Sequence, residues 1–194
     1  MRTITKPGRW LLYTLALPLF SCANVDGPAA PRAKAGVLDL RSWNPDKDAP
    51  VTLDGTWHFY RSRFVSPQAL AAGTATVKPG TLKVPLSWND QQVDGKKMTG
   101  EGYGTYHLRI LLPPGKKRLA IKFPKIGTAF RVYANGQLLT SAGQLGTRSA
   151  DFAPAYRLHV KGFTVDTERL DLVFHVANFR YPWGGLWYSL HFGQ

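Results

Sequence analysis

The densest concentration of chemistry-bearing side chains in this sequence runs Asn178-Phe179-Arg180-Tyr181-Pro182-Trp183-Gly184-Gly185-Leu186-Trp187-Tyr188. Five aromatic residues, broken by a proline and a Gly-Gly pair, make a loop that cannot bury every ring. Carbohydrate recognition uses this chemistry: an aromatic face packs on the apolar face of a pyranose, while amide and guanidinium groups bond its hydroxyls. Asn178 and Arg180 are the polar candidates, and Tyr181, Trp183 and Trp187 the stacking ones. Arg131 or Tyr133 is expected to approach from a neighbouring hairpin strand. The competing reading is that Phe179, Trp187 and Trp183 plug the end of a β-sandwich.

Catalytic chemistry finds little support. The twelve carboxylates fall in no recognisable motif, and no serine sits in a GxSxG elbow. Gly100-Glu101-Gly102-Tyr103-Gly104 superficially resembles a phosphate-binding loop, yet it precedes a strand instead of joining a strand to a helix. The five histidines, His58, His107, His159, His175 and His191, alternate with the apolar positions of their strands and show no HxH or HExxH spacing. They are expected on exposed sheet faces. Asp39, Asp46 and Asp48 lie before the first clear strand, where sandwich modules often hold calcium through loop oxygens. Lys47 between the close pair argues for a solvated turn. The expectation is therefore a non-enzymatic protein with no metal and no cofactor.

At the other end, Arg2, Lys6 and Arg9 precede an apolar run over 10–20 and then Ser21-Cys22. This segmentation is that of an export signal, and Leu19-Phe20-Ser21-Cys22 resembles a lipobox, whose cysteine is acylated and begins the mature chain. The run is interrupted by Pro18 and is too short to cross a hydrocarbon core, which needs about twenty residues. Cys22 is the only cysteine, so there is no disulfide framework. Multiple acyl chains on Cys22 would anchor stably where one would not. Ala23-Asn24, with no aspartate after the cysteine, leans by resemblance toward the outer membrane, facing the periplasm. An ordinary secretory signal is the alternative.

The net charge is +13, and removing residues 1–22 takes away three basic side chains and no acidic ones. Such a charge speaks to partners and solubility. For an exported chain it makes nucleic acid a poor candidate and points to anionic headgroups, lipopolysaccharide or an acidic ligand. Only Lys96-Lys97 and Lys116-Lys117-Arg118 cluster, both in turn-like settings, which favours a scattered basic surface.

The elements that must position these residues read as all-β. Residues 23–36, rich in Pro, Ala and Gly, form a flexible tether. Residues 37–194 suit one domain with a sizeable core. Period-two alternation marks strands around Trp57 and Phe59, Leu82 to Leu86, Tyr106 to Leu112, Leu119 to Phe123, and Phe130 to Ala134. Asn135-Gly136 is a strong hairpin signal, with Leu138-Leu139 beginning the return. Further runs are Tyr156-Leu158-Val160, Leu170 to Val176, and Leu186 to Phe192. About eight strands are the number of a jelly-roll sandwich. One short helix is expected around 66–72, and Trp43, Trp57 and Trp88 are expected in or at the edge of the core.

Several segments carry a family resemblance. Leu53-Asp54-Gly55-Thr56-Trp57-His58-Phe59-Tyr60, Pro85-Leu86-Ser87-Trp88, Gly102-Tyr103-Gly104-Thr105-Tyr106-His107-Leu108-Arg109, Tyr133-Ala134-Asn135-Gly136, and Asn178-Phe179 with Gly184-Gly185-Leu186-Trp187 occur in the right order. Together they resemble the extracellular galactose-binding-like domain at the front of bacterial receptors with diverse intracellular signalling modules. A more distant similarity is to the sugar-binding jelly roll of glycoside hydrolase family two. The first resemblance implies a jelly-roll input domain, placed in those receptors before a seven-helix membrane region and a cyclase or histidine kinase. The second implies binding without cleavage, because the catalytic pair of those hydrolases sits on a separate barrel domain.

The lipobox-like start favours a stand-alone lipoprotein built from the sensor module, with a truncated receptor as the alternative. Two functions stay open. One is a membrane-tethered, non-catalytic sensory or binding module for carbohydrate or another small polar ligand. The other is a structural or interaction module that meets an envelope protein or polymer through its basic surface.

Overall fold

The computed structural model describes residues 30–194; residues 1–29, with the expected signal, Cys22 and half of the expected tether, lie outside the described residues. Its strands are β1 (Val37–Asp39), β2 (Val51–Thr52), β3 (Gly55–Arg61), β4 (Gly80–Val84), β5 (Gln92–Val93), β6 (Lys96–Lys97), β7 (Gly102–Leu111), β8 (Lys117–Phe123), β9 (Ala129–Ala134), β10 (Gln137–Ala142), β11 (His159–Val165), β12 (Arg169–Asn178) and β13 (His191–Gly193). The α-helix, α1 (Pro67–Ala72), starts where Ser66 Oγ accepts the Ala69 N–H and ends at left-handed Gly73. Among the described residues no helix is long and apolar enough to cross a membrane.

The fold is all-β, a sandwich of two unequal sheets. The larger orders β10-β9-β12-β7-β3-β4, with β1 pairing in parallel against the C-terminal end of β7. The smaller orders β11-β8-β13-β2, and β5-β6 form a separate hairpin. Eight of the strands have five or more residues, which is the number that alternation predicts; the remainder are two- or three-residue pieces. The spine is β7 paired with β12 in full register from Gly102↔Asn178 to Leu111↔Arg169. Tyr106, Leu108, Ile110, Leu172, Phe174 and Val176 point inward and are fully buried, facing Leu119, Ile121, Phe123 and Phe192 of the smaller sheet. Trp57 meets Phe174 at 5.4 Å and Phe59 meets Tyr106 at 4.8 Å, both inclined as aromatic quadrupoles prefer. Trp43, Trp57 and Trp88 are buried as expected. Asn135 and Gly136 take φ of 46° and 82°, the two positive values a type I′ hairpin requires between β9 and β10.

Several expectations change. The alternation in 156–160 predicts Tyr156, Leu158 and Val160 on the buried face, but all three are exposed, and the strand runs from His159 to Val165. Pairing of His159 with Phe123 and of Phe163 with Leu119 turns those residues toward the core, and a strand's two faces exchange with a one-residue slip. At the chain end only His191–Gly193 is strand. Leu186, Leu190 and Phe192 still alternate inward, but their neighbourhood bonds to loops, with Leu86 N–H donating to Leu186 O and Leu53 N–H to Leu190 O. The folded body also begins inside the expected tether, because Ala33 is buried and pairs with Gly55. Asp39 belongs to β1, where ion pairing with Arg41 at 2.6 Å, chiefly through its hydrogen bonds, lowers its pKa to about 2. Asp48 accepts the Asn44 N–H, and Asn44 Oδ1 accepts the Asp46 N–H, closing a turn.

The histidines divide, against the expectation of five exposed rings. His191 is exposed and His58 and His159 are half-buried, but His107 and His175 are buried. For His175 the cause is the 62–77 segment, which lays Phe64, Val65, Leu70 and Val77 over the outer face of the larger sheet, whereas His107 packs with Asp171 and His58. Alternation tells which face a side chain takes, and not whether another segment covers that face. His175 Nε2 donates to Val65 O at 2.8 Å, with Phe64 and Tyr133 rings beside it. Burial above all holds its pKa below the ordinary histidine value.

The same outer face holds a buried carboxylate. His107 Nε2 donates to Asp171 Oδ1 at 2.8 Å and Arg109 Nε donates to the same oxygen at 3.0 Å. Arg169 Nε stands 3.1 Å from Asp171 Oδ2 as an ion pair whose angle misses that of a hydrogen bond. Burial pushes the Asp171 pKa up, but the His107 bond and the Arg109 charge outweigh it and the net shift is downward. Asp171 also receives order from the hairpin, since its N–H donates to Asn135 Oδ1 at 2.8 Å.

Candidate functional site

The aromatic segment leaves the end of β12 and is fastened by its backbone. Asn178 Nδ2 donates to the carbonyls of Gly100 and Tyr181, each at 2.6 Å. Its Oδ1 accepts from Thr128 Oγ1 and from the Tyr181 N–H, each at 3.1 Å. Further along, Trp88 N–H donates to Gly184 O, and Gly127 and Gly185 exchange backbone bonds at 3.1 and 3.2 Å. Asn89 Nδ2 donates to Pro182 O at 3.0 Å. Gly185 has a φ of 96° and lies on Trp88 and the Tyr106 hydroxyl, where a Cβ would collide with both. Trp88 Nε1 donates to that hydroxyl at 2.6 Å, so the support beneath the loop is a paired, fully buried indole and phenol. Burial drives the Tyr106 pKa well above its ordinary range, which keeps the hydroxyl neutral.

With the backbone pinned, the side chains form one cluster. Tyr181 stacks on Trp187 with centroids 5.2 Å apart and planes 13° apart. Trp183 meets them edge-on at 5.8 and 6.2 Å, and Tyr156 adds its edge to Tyr181 at 6.2 Å. Lys125 Nζ lies 4.3 Å from the Tyr156 ring centre and 5.4 Å from that of Tyr181, within cation–π range. Trp183 is 52% exposed. Thr99, Glu101, Arg180, Tyr181 and Pro182, the last next to Trp183 in the chain, border an open cleft of about 450 Å³. Trp187 Nε1 is buried with no hydrogen-bond partner in the protein. The arrangement offers one accessible indole, an aromatic wall, an anion and a cation.

Five of the seven residues selected from sequence are in this loop, but they divide by role. Arg180, Tyr181, Trp183 and Trp187 border or build the cluster. Asn178 is fully buried and its amide is committed to the protein's own groups, so it positions the loop and presents nothing to a ligand. Phe179 turns away to pack against Phe152, which plugs that side of the sandwich. Arg131 and Tyr133 are not brought to the loop. They share the outer face of β9, where Tyr133 packs against His175 in the cluster of Tyr60, Leu70 and Val173. Residues at i and i+2 of a strand share one face, so both go where the covered outer face goes. Tyr156 and Lys125 join the cluster unannounced by any motif; they come from segments that flank β8 and β11.

No protein-family model matches this chain, and no curated protein matches it either. Solved structures do. A β-glucuronidase from Ruminococcus gnavus, in complex with D-glucuronic acid, superposes with a TM-score of 0.53 at 18% identity over 74% of this chain. A second structure of Ruminococcus gnavus β-glucuronidase gives 0.52 at 18% identity over 78%. The complex of that enzyme with an N1-substituted uronic isofagomine gives 0.52, again at 18% over 74%.

The chain shares its fold with part of a glycoside hydrolase.

The match covers 29% of each of those enzymes, so this chain corresponds to well under half of their length. At that level of identity the likeness concerns the β-sandwich, in keeping with the distant resemblance to the family-two jelly roll. Among the described residues, no group of three or more His, Cys, Asp or Glu side chains is placed to hold a metal ion.

Proposed function

We propose that this protein is an exported, lipid-anchored, non-catalytic binding module whose aromatic end takes carbohydrate or another small polar ligand. The observation that carries the reading is the pinned loop, with Trp183 half-exposed at the rim of the Tyr181–Trp187 stack and Arg180 and Glu101 on the adjoining cleft. An indole face covers the C–H face of a pyranose, and the flanking charged groups bond its hydroxyls. A site whose backbone is already held by Asn178, Gly127 and Trp88 loses little freedom on binding. The sandwich shared with a β-glucuronidase supports this reading, as does the resemblance to receptor input domains, which supplies a sensory context. On that view the module detects a ligand at the cell envelope and does not transform it.

Two measurements test the proposal. Tryptophan fluorescence is followed while D-galactose or D-glucuronic acid is added to the full chain. A saturable change is expected, and for the neutral sugar it should persist at high salt, because stacking and hydrogen bonds are screened little. Trp183→Ala removes the accessible face and is expected to weaken binding by about tenfold, the equivalent of one aromatic stacking contact. No response to either sugar, or equal binding by the variant, refutes the site. For the anchor, intact mass is measured on envelope-extracted protein and on Cys22→Ser. The expected species begins at Cys22, carries acyl groups and is absent from the variant; an unmodified or longer species refutes the lipoprotein reading.

A further inference from the structure

The smaller sheet has an unusual charge pattern. None of β2, β8, β11 and β13 contains an aspartate or glutamate. The sequence has no acidic residue anywhere in 102–150, 152–165 or 172–194. On the outward face of this sheet the register sets Lys122 between Val160 and His191, with Arg118 opposite Thr164. Apolar side chains stand beside these cations. Leu158 is 75% exposed, Val160 63% and Tyr188 55%. With Lys122 and Lys125 they border one groove of about 700 Å³.

Single exposed apolar residues are ordinary, but a contiguous set in one groove marks an interaction surface. Aliphatic and aromatic side chains beside lysines, with no carboxylate among them, are the composition of a surface that rests on anionic lipid. The hydrocarbon parts enter the headgroup boundary while the ammonium groups reach back to phosphate. A glycan has little use for Leu158 and Val160, which offer no hydroxyl partners and no flat ring.

The route of the chain gives the same answer. Ala33 N–H donates to Asp54 O at 2.7 Å, and the Asp54 carboxylate accepts from Ser189 Oγ at 3.1 Å. Ser189 itself borders the groove. The N-terminal segment therefore joins the sandwich at the start of β3 in the larger sheet and is linked to the border of the groove through Asp54 and Ser189. Ten residues lie between Cys22 and Ala33, a span of at most about 40 Å when extended, so a lipid on Cys22 keeps the groove within reach of the bilayer; this last step rests on the anchored reading above.

We propose that the outer face of the smaller sheet docks on a bilayer rich in anionic phospholipid, with Leu158, Val160 and Tyr188 entering the headgroup region and Arg118, Lys122 and Lys125 meeting phosphates. Docked this way, the domain is held in one orientation against the membrane instead of swinging from its tether.

The test uses the full-length Cys22→Ser chain, which carries no acyl group, sedimented with vesicles of phosphatidylcholine alone or mixed with phosphatidylglycerol. Parent protein is expected to partition at least tenfold more strongly onto the anionic vesicles, and less as salt rises. The pair Arg118→Glu and Lys122→Glu should lower partitioning onto the anionic vesicles by tenfold or more relative to the parent. The pair Leu158→Ser and Val160→Ser should weaken partitioning severalfold at every salt concentration. All four side chains are exposed or outward-facing, and circular dichroism with a thermal midpoint verifies folding; the single variant Lys122→Ala serves if either pair misfolds. Residues 1–21 are the same in every chain, so differences report on the face alone. Equal partitioning of parent and variants overturns the proposal. So does equal binding to both vesicle types, or binding to soluble polygalacturonate with none to vesicles. An unmodified mass at Cys22 refutes the anchor and leaves this comparison intact.

Discussion

Asp171→Ala is expected to destabilise the domain by about 1–3 kcal/mol in urea unfolding, the range for leaving a buried polar group without its partner. The carboxylate is buried near the start of β12 and receives His107, Arg109 and Arg169. Without it, Arg109 and Arg169 can turn toward solvent, but buried His107 cannot. Its Nε2 loses its acceptor, and its Nδ1 already has no protein partner. Asp171→Asn keeps an acceptor for His107 and loses the charge, so a smaller loss is expected, because a neutral hydrogen bond is weaker than a charge-assisted one. A pH titration of the thermal midpoint gives an independent readout. The Asp171 pKa is lowered in the fold, so its contribution is complete above the ordinary carboxylate value of 3.8 and is lost as pH falls through the folded value. Asp171→Asn should therefore flatten the acid limb of the curve below pH 3.8. A variant as stable as the parent, with an unchanged acid limb, would show that the network contributes nothing.

Asn178→Ala is expected to have the second large effect, and on two observables together. The substitution strips partners from the Gly100 and Tyr181 carbonyls, the Tyr181 N–H and the Thr128 hydroxyl. Leaving a buried polar group unpaired costs about 1–3 kcal/mol, so a loss of about 3 kcal/mol follows even if two of the four recover a partner. The loop that carries Tyr181 and Trp183 is released at its origin, and the fluorescence response to sugar should fall by at least tenfold. Asn178→Asp retains the acceptor but sets a buried carboxylate oxygen against the Gly100 and Tyr181 carbonyls, so it is expected to cost at least as much as Asn178→Ala. Sugar binding that survives Asn178→Ala unchanged would mean that the loop is held by Gly127 and Trp88 alone. The comparison with Trp183→Ala separates the two roles: the tryptophan variant should lose affinity with little change in stability, and the asparagine variant should lose both.

The β-class and most strands are legible in the sequence because alternation is a local property. Tyr106 to Leu112 and Leu170 to Val176 alternate as half-buried strands do, and the structure buries the expected face of each. Asn135-Gly136 specifies its hairpin through φ alone. The aromatic loop is equally plain, since proline and paired glycines exclude a strand there.

What the sequence left open depends on which segment covers which face. Leu158 and Val160 alternate correctly for a strand, but pairing with β8 fixes His159, and not its neighbours, on the core side. His175 occupies a position that looks solvated until the 62–77 segment folds across it. Asn178, which reads as a ligand group by type, becomes structural because Gly100 and Thr128 arrive from elsewhere in the chain to consume its amide.

Sequence alone thus determined the secondary-structure class, the position of the turns and the aromatic composition of one loop, because each is set by backbone preference and by periodicity within a few residues. Only the tertiary structure decided the gathering of Tyr156 and Lys125 with that loop, the dispatch of Arg131 and Tyr133 to another face, and the outward turn of Leu158 and Val160. These are long-range pairings, chosen by register and burial between segments far apart in the chain, and no local pattern encodes them.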